Sequence, residues 1–163
     1  MSALEKLNGL PATEATAEFH KVCGCRRWAS AMTAARPFAS VEALMERADA
    51  EWVKATDDEC LEAFAAHPRI GGKSDSKWSK QEQSGAAAAA STTLERLKAQ
   101  NDAYFDKHGF IFIVCATGKA ADEMLALLEA RLPNDRATEI RNAAAEQGKI
   151  TKIRLNKWLQ EHA

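Results

Sequence analysis

Apolar side chains recur along most of this chain at intervals of three and four residues, the repeat that lines one face of a helix. The clearest run is Val41, Leu44, Met45, Ala48 and Trp52. Phe19, Val22 and Cys23 precede it, then Trp28, Met32 and Ala35 before Pro37 closes the segment. Helix starts are marked by short polar side chains. Ser2 suits the cap of a first helix ending near Asn8-Gly9, Thr13 the start of a second, and Ser40 the cap of the Val41 helix. Thr56-Asp57-Asp58-Glu59 has the capping-box pattern and opens a helix carrying Leu61, Phe64 and Ala65. That helix must stop near His67, because Pro68 disfavours helical geometry in the residue before it.

Ser79-Lys80-Gln81-Glu82 is a second capping box. It is expected to launch a helix through the alanine run Ala86 to Ala90, past Leu94 and Leu97, to about Tyr104, with a break at Gly109. Small alanines in a helix suit close helix packing. Thr117-Gly118-Lys119 is expected to open a helix with Met124, Leu125, Leu128 and Leu132 as its core face. A last long pattern, Asp135 to about Gln160, carries Ile140, Ala144, Ile150, Ile153 and Trp158. Gly148 within it costs about 1 kcal/mol against alanine, too little to break the helix.

Two stretches escape the pattern. Residues 68–78 hold Gly71, Gly72, Ser74, Asp75 and Ser76, turn formers without periodicity. Phe110-Ile111-Phe112-Ile113-Val114-Cys115-Ala116 has strand-like content but no second strand to pair with, so it is expected to thread a helical fold as a buried irregular segment. The expected fold is all-α: one compact domain over 1–163, about eight helices, and the irregular segment near 110–116.

Composition narrows the function. The chain has 163 residues, 46% hydrophobic and 28% charged, which places it among globular rather than disordered proteins. A formal net charge of -1 and the lack of a dense basic run argue against nucleic acid as a partner. The longest apolar run is too short for a bilayer span, so no membrane partner is expected. Met1-Ser2-Ala3-Leu4-Glu5-Lys6 lacks a signal-peptide layout, so a cytoplasmic protein with reduced Cys23, Cys25, Cys60 and Cys115 is expected. Cys23-Gly24-Cys25 has no second cysteine pair, and no metal site is assigned.

Candidate chemistry concentrates in Ala66-His67-Pro68-Arg69-Ile70-Gly71-Gly72 and Ser79-Lys80-Gln81-Glu82-Gln83, which gather an imidazole, a guanidinium, a carboxylate and an amide around a turn. Plain structural readings stand beside the chemical one. His67 suits a helix C-terminus electrostatically, Ser79 and Glu82 suit reciprocal caps, and Arg154 suits a solvated helix face. Gly118-Lys119 lacks the upstream glycine of a phosphate loop. A non-catalytic helical protein-interaction module is the alternative function; a thiol or metal protein using Cys23, Cys25 and His20 is a further one.

Four motifs fall in register along essentially the whole chain: Ala66-His67-Pro68-Arg69-Ile70-Gly71; Ser79-x-x-Glu82-Gln83; Tyr104-x-x-x-His108-Gly109 running into Phe110 to Ala116; and Thr151-x-x-Arg154-Leu155. Together they resemble the OHCU decarboxylase family, enzymes of urate degradation that act on 2-oxo-4-hydroxy-4-carboxy-5-ureidoimidazoline. The resemblance implies an all-helical, cofactor-free carboxy-lyase, a homodimer, whose partner is a small-molecule substrate. It places catalytic roles on His67, Glu82 and Arg154. It places substrate contacts on Pro68, Ser79 and Gln83, and on the backbone of Phe112, Ile113, Val114, Cys115 and Ala116. Eukaryotic relatives often end in a peroxisomal tripeptide, whereas this chain ends Glu161-His162-Ala163, which implies a cytosolic, bacterial enzyme.

Overall fold

Three helix starts fall where short polar side chains predict them. Ser2 caps α1 (Ala3–Gly9): its hydroxyl accepts from the Glu5 N–H at 3.1 Å, and the Glu5 carboxylate accepts from the Ser2 N–H at 3.0 Å. Ser40 caps α4 (Val41–Val53), accepting from the Ala43 N–H. Thr56 and Glu59 exchange the same reciprocal pair of bonds ahead of α5 (Asp57–Ala65). Thr13 does not act as a cap. α2 (Ala12–Val22) starts one residue earlier behind Pro11, whose fixed φ of -53° sets the entry into the helix.

The structure, a computed structural model, describes residues 1–69, 77–82 and 91–163. Among them lie nine helices and no strand: the four above together with α3 (Arg26–Ala34), α6 (Lys77–Glu82), α7 (Ser91–His108), α8 (Ala121–Arg131) and α9 (Arg136–Glu161). The glycines at 71 and 72, Gln83 and the alanine run at 86–90 fall outside the described residues. No described helix is long and apolar enough to cross a membrane.

The chain forms two compact units, Met1–Ala63 with Gly148–Ala163, and Phe64–Gln147. In the first, α3 packs against α2 and α4. Trp28 is fully buried there, edge-on to Phe19 at 5.9 Å, and its indole N–H donates to the Ala48 carbonyl at 3.1 Å. Arg36 gathers the carbonyls of Leu7 and Leu10, which closes the end of α1. Trp28, Trp52 and Trp158 are all buried in this unit. Val41 and Val53, at the two ends of the Trp52 helix, stay exposed.

In the second unit α7 packs on α8. Gly109, at φ +79°, turns the chain out of α7, a conformation that side-chain-bearing residues rarely adopt. Every residue from Phe110 to Ala116 except Ile111 is then buried. Aromatic rings anchor the segment: Phe110 lies 5.4 Å from Phe64, and Phe112 lies 5.3 Å from Tyr104. Its backbone groups are met by side chains instead of a second strand. The Ile113 carbonyl accepts from Arg131, the Cys115 N–H donates to Glu146, and the Cys115 carbonyl accepts from Lys119. Strand-like composition without a strand is the outcome. Thr117 and Gly118 form a turn, with Gly118 at φ +78°, so α8 opens later than Thr117-Gly118-Lys119 predicts.

α9 runs unbroken through Gly148. Its buried positions are Glu139, Ile140, Ala143, Gln147, Ile150, Thr151, Arg154, Leu155 and Trp158, a helical stripe in which four members are polar. Ala144 and Ile153 sit beside that stripe, half-buried.

Two alanine substitutions should move stability in opposite directions. A Cβ at Gly148 would meet Trp52 at 3.7 Å, ordinary contact, so Gly148→Ala should raise stability by about 0.5–1 kcal/mol. Gly109→Ala should lower it by about 1–3 kcal/mol, because φ is positive there. Urea unfolding of both variants checks the pair.

Candidate active site

α5 stops at Ala65, and the chain turns with the His67 N–H donating to the Phe64 carbonyl at 3.1 Å. His67, Pro68 and Arg69 are half-buried on this turn. The His67 ring meets α9: its Nε2 lies 2.5 Å from Gln147 Oε1. Arg69 turns instead to α7, where Asp102 and Phe105 share a face. Its guanidinium pairs with the Asp102 carboxylate and lies 5.0 Å from the centre of the Phe105 ring. Both ionic partners keep 39% or more of their side-chain exposure, so the pair contributes at most about 1 kcal/mol. Arg69 ties the turn down to α7.

Ser79 and Glu82 are not caps. α6 begins at Lys77, which puts both inside the helix, three residues apart on one face, and both are buried together with Trp78. A carboxylate on a buried helical face is an investment that capping does not explain. Glu82 acts electrostatically on the Cys115 thiol, as do Glu146 and Lys119. Burial, the largest influence, pushes that thiol up, and the Lys119 ammonium pulls it back. Glu82 and the extended segment are therefore neighbours, while Gln83 falls outside the described residues.

Phe112, Ile113, Val114, Cys115 and Ala116 are all buried, as expected of an irregular segment threading the fold. Three of their backbone groups are already committed, however: the Ile113 carbonyl to Arg131 at 2.6 Å, and the Cys115 N–H and carbonyl to Glu146 and Lys119 at 3.1 and 2.7 Å. Arg131 is itself fixed over the Phe112 ring, 4.5 Å from its centre, and bonded at 2.8 Å to Glu139.

Glu139 has no solvent exposure. Its carboxylate accepts from Tyr104 at 2.6 Å, Arg131 at 2.8 Å, Asn134 at 2.9 Å and Asn142 at 2.7 Å. Burial opposes its charge, yet the hydrogen bonds from Asn134, Tyr104 and Asn142 and the Arg131 charge prevail and hold the carboxyl below its ordinary value. The Tyr104 hydroxyl moves the other way, up, through burial and its bond to the Glu139 carboxylate.

Arg154 belongs to the first unit and is buried rather than solvated. Its guanidinium donates to the Val22 carbonyl at 3.3 Å. Thr151, one turn before it, bonds the Cys23 thiol, and burial pushes that thiol up to about 12 despite the Arg154 charge. Burial also pushes Cys60 up to about 11. All four cysteines are free and buried. Thiols held protonated in this way are poor nucleophiles and poor metal ligands. Among the described residues no group of three His, Cys, Asp or Glu side chains is placed to hold a metal ion.

Sequence periodicity did not single out Glu139 or Gln147. The available signal was their register: each falls on the apolar stripe of α9, where a polar residue must find a buried partner.

These features describe an all-helical protein with buried, partnered polar groups behind a histidine-bearing turn. Residues 8–156 match the OHCU decarboxylase family, and the chain belongs to that family. Over 154 residues it is 38% identical to the uric acid degradation bifunctional protein TTL of Arabidopsis thaliana, covering 90% of this chain and 48% of that protein. Over 160 residues it is 31% identical to the uric acid degradation bifunctional protein PucL of Bacillus subtilis, covering 95% of this chain and 32% of that protein. The chain thus spans half or less of these two relatives. The crystal structure of an OHCU decarboxylase in the presence of (S)-allantoin superposes with a TM-score of 0.80 at 35% identity, covering 88% of this chain and 97% of that one. A crystal structure of (S)-allantoin synthase shares the fold, with a TM-score of 0.74 at 21% identity over 97% of this chain and 54% of that one.

The Glu139 network makes a stability prediction with a definite sign. A depressed folded pKa means the ionised carboxylate contributes fully above the ordinary value of 4.5, and that contribution disappears as pH falls through the lower folded value. Glu139→Gln should cost about 3 kcal/mol at pH 7, because Arg131 is left without its counter-charge. It should also flatten the acid limb of a stability-against-pH curve measured by urea unfolding.

Proposed function

We propose that this protein decarboxylates 2-oxo-4-hydroxy-4-carboxy-5-ureidoimidazoline to (S)-allantoin. The observation that carries the proposal is family membership across residues 8–156; His67, to which the motif resemblance assigns the catalytic histidine, lies on a half-buried turn. The likeness to an OHCU decarboxylase crystallised in the presence of (S)-allantoin supports the product.

The chemistry suits these residue types. The substrate carries its carboxylate on a carbon that also bears a hydroxyl. Breaking the bond to the carboxylate releases carbon dioxide and leaves an electron pair on the ring, delocalised as a carbanion or enol-like species. A proton delivered to one face then gives a single enantiomer. Electrons balance without an external oxidant or reductant, so the reaction calls for no redox cofactor. His67 is the proton carrier, since imidazole both accepts and donates near neutral pH. Glu82 assists by polarising the imidazole or engaging the substrate hydroxyl. Pro68, Ser79, Gln83 and the segment Phe112 to Ala116 contribute substrate contacts. Arg154, assigned by its motif, supplies a charge-assisted hydrogen bond to an anionic or carbonyl group. A cytoplasmic homodimer completes the reading, and sedimentation equilibrium tests the dimer.

The interaction-module alternative calls for an exposed apolar patch. Among the described residues the large exposed hydrophobics are Met1; Val41 and Val53, at opposite ends of α4; and Phe105, over which Arg69 lies. No observation favours that reading.

A coupled assay tests the proposal. Urate oxidase and hydroxyisourate hydrolase generate the unstable substrate from urate, and circular dichroism follows optically active allantoin. The wild type should give a fast (S)-allantoin signal. His67→Asn should lose at least about a hundredfold in turnover with unchanged far-ultraviolet dichroism. Slow racemic product from the wild type would overturn the proposal.

A further inference from the structure

We propose that Gln147 is the positioning residue of His67, deciding which imidazole nitrogen carries the proton. The consequence for turnover rests on the decarboxylase reading; the tautomer rests on the geometry alone.

Gln147 has no solvent exposure, and its Oε1 lies 2.5 Å from His67 Nε2. An amide oxygen can only accept, so the neutral imidazole keeps its proton on Nε2 and its basic lone pair on Nδ1.

The two partners differ in how they are held. His67 sits on a turn behind the last residue of α5, next to a proline. Gln147 sits mid-way along α9, two helical turns beyond Glu139, whose carboxylate binds that helix to Tyr104 and Arg131. A rigid helix thus supplies the reference for a side chain on a loop, the arrangement that keeps a proton-transfer group within its productive range of angles. Delivery of a proton to one face of a planar intermediate needs a ring that neither rotates nor exchanges tautomers. Gln147 is also neutral. A carboxylate in its place would accept the same hydrogen bond and additionally favour the imidazolium.

The test combines a long-range proton–nitrogen NMR spectrum of the histidine rings, with His67 assigned through His67→Asn, and the coupled assay. The wild type should show the Nε2–H pattern at His67. Gln147→Met, close in shape but without an acceptor, should shift that pattern toward mixed tautomers. It should lower kcat about tenfold to a hundredfold while KM stays within about threefold. Gln147→Glu, which restores an acceptor, should restore the Nε2–H pattern and most of kcat once the pH is raised far enough to neutralise the imidazolium that the carboxylate favours. An Nδ1–H ring in the wild type, an unchanged tautomer or kcat in Gln147→Met, or a Gln147→Glu variant as impaired as Gln147→Met would overturn the proposal. The wild-type ring and Gln147→Glu decide the matter if Gln147→Met fails to fold. A tautomer that follows Gln147 in a protein without decarboxylase activity would uphold the positioning and remove the function. His67-dependent turnover indifferent to Gln147→Met would do the reverse.

Discussion

A single buried carboxylate sets the terms for the second unit of this protein. Removing an ion from water costs several kcal/mol, which only a full set of hydrogen bonds and a counter-charge can offset. Glu139 draws that set from Tyr104 on α7, Arg131 at the end of α8, Asn134 in the following turn and Asn142 on its own helix. Meeting those demands together fixes three helices against one another. Arg131 extends the constraint, because its remaining reach takes the Ile113 carbonyl and the Phe112 ring. The extended segment is thus held by a salt bridge that also defines the register of α9.

From that register the rest of the site follows. One helix presents Glu146 to the Cys115 N–H and Gln147 to the His67 ring, adjacent residues that reach different segments because they point in different directions around the axis. Glu82 arrives by another route, on a face of α6 that buries Ser79 and Trp78 with it. The chemistry therefore draws its support from regular elements, while the histidine itself stays on a turn. Arg69, one residue past Pro68, anchors that turn to α7.

Several residues that attract attention in the sequence turn out to be structural. The cysteines are buried thiols raised above their ordinary range, and Cys23 serves as a partner for Thr151. Trp28, Trp52 and Trp158 fill the core of the first unit. Conversely, Arg154, which a helical wheel leaves among solvated charges, is buried with its guanidinium against the Val22 carbonyl. In each case burial, invisible in composition, decided between two readings that the residue type alone permits.

By itself the sequence determined what local physics determines. The caps at Ser2, Ser40 and Thr56, the stop before Pro68, the turn at Gly109 and the helical repeat of three and four all depend on residues within one turn of each other. The unpaired strand-like segment was legible for the same reason, since no other run of that composition exists to pair with it. The family's motifs marked His67, Glu82 and Arg154 through their order along the chain. Tertiary structure alone decided that Ser79 and Glu82 lie within a helix instead of capping one, that Glu139 gathers Tyr104 and Arg131, and that Gln147 meets His67. Tyr104 stands 35 positions from Glu139 and His67 stands 80 from Gln147, and a hydrogen bond across such a distance leaves no local trace in the sequence. A polar residue on an apolar stripe announces only that it needs a partner; the fold supplies which one.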